Sequence, residues 1–141
     1  MQTIFPLLRY TDAREAIRWL CEAFGFVQLF AVPDVGEVVR HAQLQFGSSV
    51  IMLGSVRPDD EITSPDELGG STQALCVYVD DVDTHFRRAQ SAGATIIAPP
   101  QDTDFGSREY HARDPEGHLW TFGTYRPDTT GESSGDPLRS Q

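Results

Sequence analysis

Arg113-Asp114-Pro115-Glu116-Gly117-His118-Leu119-Trp120-Thr121-Phe122 is the stretch on which the fold of this chain turns. Asp114 suits the opening of a type I turn, Pro115 presets φ at the second position, and Gly117 suits the close. Beyond the turn, Trp120 and Phe122 fit an extended, half-buried segment, and the residues before Asp114 supply its hairpin partner.

Upstream of this hairpin the chain falls into two halves of like order. In the first, residues 4–10 form an apolar strand, and Asp12 caps a helix over about residues 13–24. Ile17, Leu20, Cys21 and Phe24 keep helical spacing, and Gly25 is the stop. Strands follow over 26–32, 38–46 and 50–54, separated by Pro33-Asp34-Val35-Gly36 and Gly47-Ser48-Ser49. In the second half, residues 74–79 form a strand and Asp81 caps a helix striped by Val82, Phe86 and Ala89, with Gly93 as its stop. Residues 95–98 give the next strand, Pro99-Pro100-Gln101-Asp102 breaks it, and the closing hairpin completes the half.

An offset of 69 lays Leu8 on Val77, Asp12 on Asp81, Ile17 on Phe86, Leu20 on Ala89, Ile51 on Trp120 and Leu53 on Phe122. One offset thus serves the first strand, the helix and the last strand of each half, which reads as two copies of a β-α-β-β-β module. The expected organisation is a first module over 1–57, a polar linker or flap over 58–72, a second module over 73–126 and a disordered tail over 127–141. The linker is rich in Pro, Asp, Glu and Gly, and the tail has no apolar periodicity with which to offset its ordering entropy.

Composition narrows the function classes. The chain has 141 residues, 39% hydrophobic and 23% charged, enough for one domain with a sizeable core. The formal net charge of −10 and the absence of a basic patch argue against nucleic acid as a partner. No apolar run approaches the roughly 18–20 residues of a membrane span, and Met-Gln-Thr-Ile-Phe-Pro has no signal-peptide character. Cys21 and Cys76, isolated in apolar surroundings, read as small buried residues of a reducing, cytoplasmic setting.

Two β-α-β-β-β modules, a strand-Asp-helix-Gly pattern in each, and the Arg-Asp-Pro-Glu-Gly-His hairpin together resemble the vicinal oxygen chelate superfamily of glyoxalases, bleomycin-resistance proteins and extradiol dioxygenases. The resemblance covers about residues 3–126. The ending over 119–127 and the His41-Ala42-Gln43-Leu44 strand are most similar to its glyoxalase-like group of poorly defined function. It implies an α+β fold in which the tandem modules form a curved mixed sheet around a cleft. It also implies a homodimer in which elements of two chains form the pocket.

Metal-dependent members of that superfamily take His, Gln or Glu ligands from the first and last strand of each module. The matching positions here are Phe5, Met52, Ala74 and Thr121. Phe and Ala cannot ligate, Met suits soft copper, and one Thr hydroxyl is a poor ligand. This disfavours a divalent metal, implies no other cofactor, and leaves open whether the chain catalyses a reaction. It favours a metal-independent protein that binds, and by resemblance sequesters, a bulky or anionic small molecule. The alternative is a glyoxalase-like lyase, isomerase or dioxygenase with non-canonical ligands or metal-free acid–base chemistry, using His41, Gln43 and Tyr110.

Strand alternation places the candidate ligand-binding residues. Phe5, Leu7 and Arg9 should face the cleft while Ile4, Leu8 and Tyr10 face the helix. His41, Gln43 and Gln45 oppose an apolar face of Val38, Ala42, Leu44 and Phe46. Met52, Tyr78, Cys76 and Thr121 join the cleft from the other strands. The expected ligand-binding set is Phe5, Arg9, His41, Gln43, Met52, Tyr78 and Thr121. Arg9, in an apolar strand, requires either an acidic side chain of the protein or an anionic ligand. His85 reads as a surface residue of its helix, and His118 as a partner of backbone groups at the turn. Which of Arg108, Tyr110 and His111 faces the cleft is left open by the alternation.

Overall fold

The two long helices begin where a short acidic side chain can satisfy their free N–H groups. In the computed structural model, which describes residues 1–130, the Asp12 carboxylate accepts from Glu15 N and that of Asp81 accepts from Thr84 N. The chain runs β1 (Leu7–Tyr10), α1 (Ala13–Phe24), β2 (Val27–Val32), β3 (His41–Phe46), β4 (Ser49–Ser55), α2 (Pro65–Leu68), β5 (Ala74–Tyr78), α3 (Val82–Ser91), β6 (Thr95–Asp102), β7 (Arg108–Arg113) and β8 (Leu119–Gly123). Gly25, at φ 86°, ends α1 in the left-handed conformation that a side chain would resist.

Each half folds into one four-stranded sheet, in the orders β1-β4-β3-β2 and β5-β8-β7-β6. The first and last strands of each module are parallel neighbours and the other pairs are antiparallel. Leu8 lies opposite Leu53, and Val77 opposite Phe122, so the repeat offset of 69 survives as an identical register. The architecture is α+β with tandem modules, as the sequence implied.

The helix-bearing sides of the two sheets share one core. Leu8, Tyr10, Leu20, Phe24, Leu44 and Leu53 from the first module join Tyr110, Trp120 and Phe122 from the second, all at most 1% exposed. Phe24 sits 5.3 Å from the Trp120 ring and 4.6 Å from that of Phe122. The indole N–H of Trp19 donates to Ala92 O at the end of α3 (2.8 Å). With the helix sides joined, the opposite face of each sheet is left outward.

The Asp114–Gly117 turn is what clasps one module to the other. Gly117 N donates to Asp114 O, as a type I turn requires, and Gly117 itself has φ 97°. From this turn, Glu116 accepts the N–H groups of Thr11 (2.5 Å) and Asp12 (2.8 Å) at the β1–α1 junction. His118 Nε2–H donates to Arg9 O (2.8 Å), and Asp114 accepts the Tyr10 hydroxyl (2.6 Å). The backbone partner of His118 is therefore in the other module, rather than in its own turn.

Some residues depart from their expected places. Ile4 is 83% exposed, because β1 begins only at Leu7 and strand alternation does not extend back to it. Val38 lies outside β3 and is exposed, while its neighbour Val39 is buried. β6 runs on through Pro99 and Pro100 to Asp102; as the sheet edge it tolerates the missing N–H groups. Cys76 is exposed, since its strand parity sets it with Ala74 on the outward face, and Cys21 is half-buried. Residues 57–72 carry the short helix α2, and Asp60 pairs with Arg9 there. From residue 131 on, the tail expected to be disordered lies outside the described residues.

His85 is half-buried rather than on the surface. It links the modules: the Tyr110 hydroxyl donates to its Nδ1 (2.6 Å), and its Nε2–H donates to Phe24 O (2.8 Å). Burial holds its pKa below the ordinary imidazole value. The unfolded chain therefore takes up the proton first. The stability contributed by neutral His85 is complete above about pH 6.5 and is lost as pH falls toward the folded-state pKa. His85→Gln is expected to flatten the pH dependence of the urea midpoint across this window. Equal slopes for variant and wild type would refute the assignment.

Candidate ligand-binding site

The two outward sheet faces hold the expected site residues, and strand register fixes their neighbours. On the first sheet Leu7, Met52, Gln43 and Phe30 form a row across all four strands. His41 lies opposite Val32 in the next row, with its ring 5.8 Å from that of Phe30 and Nε2 3.1 Å from the Gln43 amide nitrogen. Leu7, Phe30 and Val32 of this face stay exposed, as does Phe5 just before β1.

Arg9 belongs to this face and is 7% exposed. Gly54, its neighbour in β4, provides the clearance: a Cβ there would stand 2.9 Å from Arg9 Nη1. Arg9 Nε donates to Asp60 Oδ2 (3.0 Å), which holds the Asp60 carboxyl below the usual carboxylate range. Of the two partners open to Arg9, a protein carboxylate is present. Arg9 also lines a crevice of about 220 Å³ with Leu7, Ile62, Thr63, Gln73 and His118. His41 instead lines an open recess of about 780 Å³ with Val32, Val38, Val56 and Arg57.

On the second sheet Cys76, Thr121, His111 and Ala98 form the row equivalent to Leu7, Met52, Gln43 and Phe30. Tyr78 sits beside Gly123 and is capped by the Arg126 guanidinium, 3.8 Å from its ring centre. A hydrogen bond with Asp80 and partial burial raise the Tyr78 hydroxyl pKa.

The expected residues thus separate into two groups. Arg9, His41, Gln43 and Met52 share the first face and Tyr78 and Thr121 the second, while Phe5 precedes β1 and belongs to no strand, so the alternation that set it on the cleft face does not reach it. The structure also settles the strand whose alternation was ambiguous. Tyr110 pairs with Phe122 and faces the core, while Arg108 reaches Asp83 of α3 (2.9 Å) and Asp102 (3.1 Å) on the helix side. Glu109 and His111 face outward beside Thr121. The turn carried the missing signal: an Asp-Pro-Glu-Gly-His connection places Arg113 opposite Leu119, which sets Ala112 opposite core-facing Trp120.

The donor set does not fit a resident divalent metal. Met52, Ala74 and Thr121 occupy strand positions and Phe5 precedes β1; together the four offer one thioether and one hydroxyl. Among the described residues, no three His, Cys, Asp or Glu side chains converge so as to hold a metal ion.

Comparisons with known proteins agree with this fold. Residues 4–122 match the family model for the Glyoxalase/Bleomycin resistance protein/Dioxygenase superfamily. An uncharacterized protein of Mycobacterium bovis, Mb0911c, is 35% identical over 121 residues, covering 84% of this chain and 80% of its own. The crystal structure of TioX from Micromonospora sp. ML1 superposes with a TM-score of 0.73 at 38% identity, covering 89% of this chain and all of that one. A glyoxalase-related enzyme from Fulvimarina pelagi shares the fold, with a TM-score of 0.65 at 19% identity and 89% coverage of both chains.

Proposed function

The chain belongs to the Glyoxalase/Bleomycin resistance protein/Dioxygenase superfamily, and from that premise we propose that it is a metal-independent small-molecule-binding protein. It works as a homodimer and holds a bulky or anionic compound against its outward sheet faces. The observation that carries this reading is the residue set Phe5, Met52, Ala74 and Thr121, which keeps the scaffold but removes the ligating side chains. Aromatic and aliphatic residues on the first face supply contact area, and His41 and Gln43 supply polar groups that orient a ligand, while Arg9, held by Asp60, lines the neighbouring crevice. Apolar surface left outward in one chain supports a second copy as the cover, so that each pocket draws on both protomers. No described helix is long and apolar enough to cross a membrane.

Native mass spectrometry and elemental analysis of the protein as purified test this reading. The expected species has about twice the 15.6 kDa mass of one chain, with no stoichiometric metal. A small organic compound carried on it should survive EDTA treatment. Stoichiometric Zn, Ni, Mn or Fe bound at a sheet face would overturn metal independence, and a strictly monomeric protein would overturn the shared pocket.

A further inference from the structure

The second sheet face carries a side-chain chain that the first face lacks. His111 Nδ1 lies 2.7 Å from Thr121 Oγ1, and His111 Nε2 lies 3.4 Å from a Glu109 carboxylate oxygen. With the imidazole proton on Nε2, toward the carboxylate, Nδ1 accepts the hydroxyl proton of Thr121. The lone pairs of Thr121 are then left to accept from a group above the sheet.

Two observations argue that the fold does not require this arrangement. The equivalent positions of the first module are Gln43 for His111, Met52 for Thr121 and Leu7 for Cys76, and that sheet forms with no ionisable chain at the centre of its row. Glu109 also depends on a clearance in β8: a Cβ on Gly123 would stand 2.8 Å from the Glu109 Cβ. The side chains remain reachable, with His111 at 32% and Glu109 at 22% exposure.

We propose that Glu109, His111 and Thr121 form a proton relay that receives an acidic hydroxyl, a phenol or enol, of the bound compound. This rests on the small-molecule-binding reading above. The ligand O–H passes its proton to Thr121 Oγ as Thr121 passes its own to His111 Nδ1. The ligand is left as an oxyanion and His111 as an imidazolium paired with Glu109, so charge balances without any other reactant. Thr121 is the group that touches the ligand; Glu109 positions His111 and stabilises its charged form. Among the described residues, the other ionisable groups on this face are Arg113 of β7, Cys76 and Tyr78 of β5, Asp80, which hydrogen-bonds to Tyr78, and Arg126; β6 adds none beside His111.

The test uses 3-nitrophenol, whose neutral and ionised forms absorb at different wavelengths, near neutral pH, where the free compound is mostly un-ionised and an ordinary imidazole is mostly unprotonated. Equilibrium dialysis measures uptake and absorbance measures ionisation. The full-length protein should take up the probe saturably and convert it to phenolate. Among the probe that is bound, His111→Gln and Thr121→Val should lower the phenolate-to-phenol ratio about tenfold, the equivalent of one pKa unit. Thr121→Ser should restore it, and Glu109→Gln should lower it by a smaller factor. Circular dichroism establishes that each variant is folded. Uptake with the probe still neutral would overturn the relay while leaving small-molecule binding standing. Phenolate formation that persists in His111→Gln, or no saturable uptake, would also overturn the relay, and the metal and mass measurements judge the binding reading separately.

Discussion

Replacing Asp114 with Ala is expected to cost about 3–5 kcal/mol of unfolding free energy, because it strands several buried donors at once. Asp114 is 3% exposed, and each carboxylate oxygen accepts twice. Oδ1 takes Glu116 N and His118 N, both at 3.1 Å, while Oδ2 takes the Tyr10 hydroxyl at 2.6 Å and the Trp120 indole N–H at 3.1 Å. Asp114→Asn should lose nearly as much. An amide offers one oxygen, so in either orientation its NH2 confronts two donors. Tyr10→Phe removes a single donor and should cost only about 1 kcal/mol. Urea unfolding of the three variants checks this order, and an Asp114→Asn protein as stable as wild type would refute it.

The same residue shows why the opening stretch was legible and how far. Asp-Pro-Glu-Gly fixes a turn by local backbone preference, and the turn is present. The aromatic alternation of Trp120 and Phe122 correctly gives the core face of β8. The offset of 69 was readable because equivalent positions of a duplicated module keep the same pattern of capping and burial. What local pattern could not carry was the contact between modules. Tyr10 and Asp114 lie 104 residues apart, and nothing in either neighbourhood announces the other. His85 is the counterpart case: its own helix offers a polar setting, and only the arrival of Phe24 and Tyr110 buries it.

The candidate site was legible where alternation ran clean and failed where it did not. Arg9, His41, Gln43 and Met52 fall on one face because β1, β3 and β4 keep strict parity and register there. In β7 polar residues stand at every position but Tyr110 and Ala112, so hydropathy alone does not separate the faces. His111 emerges as the partner of Thr121, and Glu109 as that of His111, only once β7 is paired with β8. The division of the expected residues between two sheets follows from the shared core. Helix-side packing of α1 and α3 sets the two faces outward and apart.

That shared core leads to the second large effect. Phe24→Ala is expected to cost about 3–5 kcal/mol, the range for deleting a fully buried aromatic ring whose cavity cannot collapse. Phe24 is fully buried, and its ring meets Trp19 at 4.8 Å on its own helix and Trp120 and Phe122 across the module boundary. Trp19 is fixed on α1, and Trp120 and Phe122 on the paired strand β8, so they cannot all move to fill the void, and both the transfer loss and the cavity term are felt. Because the ring belongs to both modules at once, its loss should lower the urea midpoint of one cooperative transition without splitting it in two. Phe105, which is exposed and packs edge-on against Tyr125 at 5.8 Å, is the control, with an expected change within about 0.5 kcal/mol on replacement by Ala. A Phe24→Ala protein that unfolds in two separated steps would show that the modules fold independently. A loss no larger than that of the control would show that the ring does not hold them together.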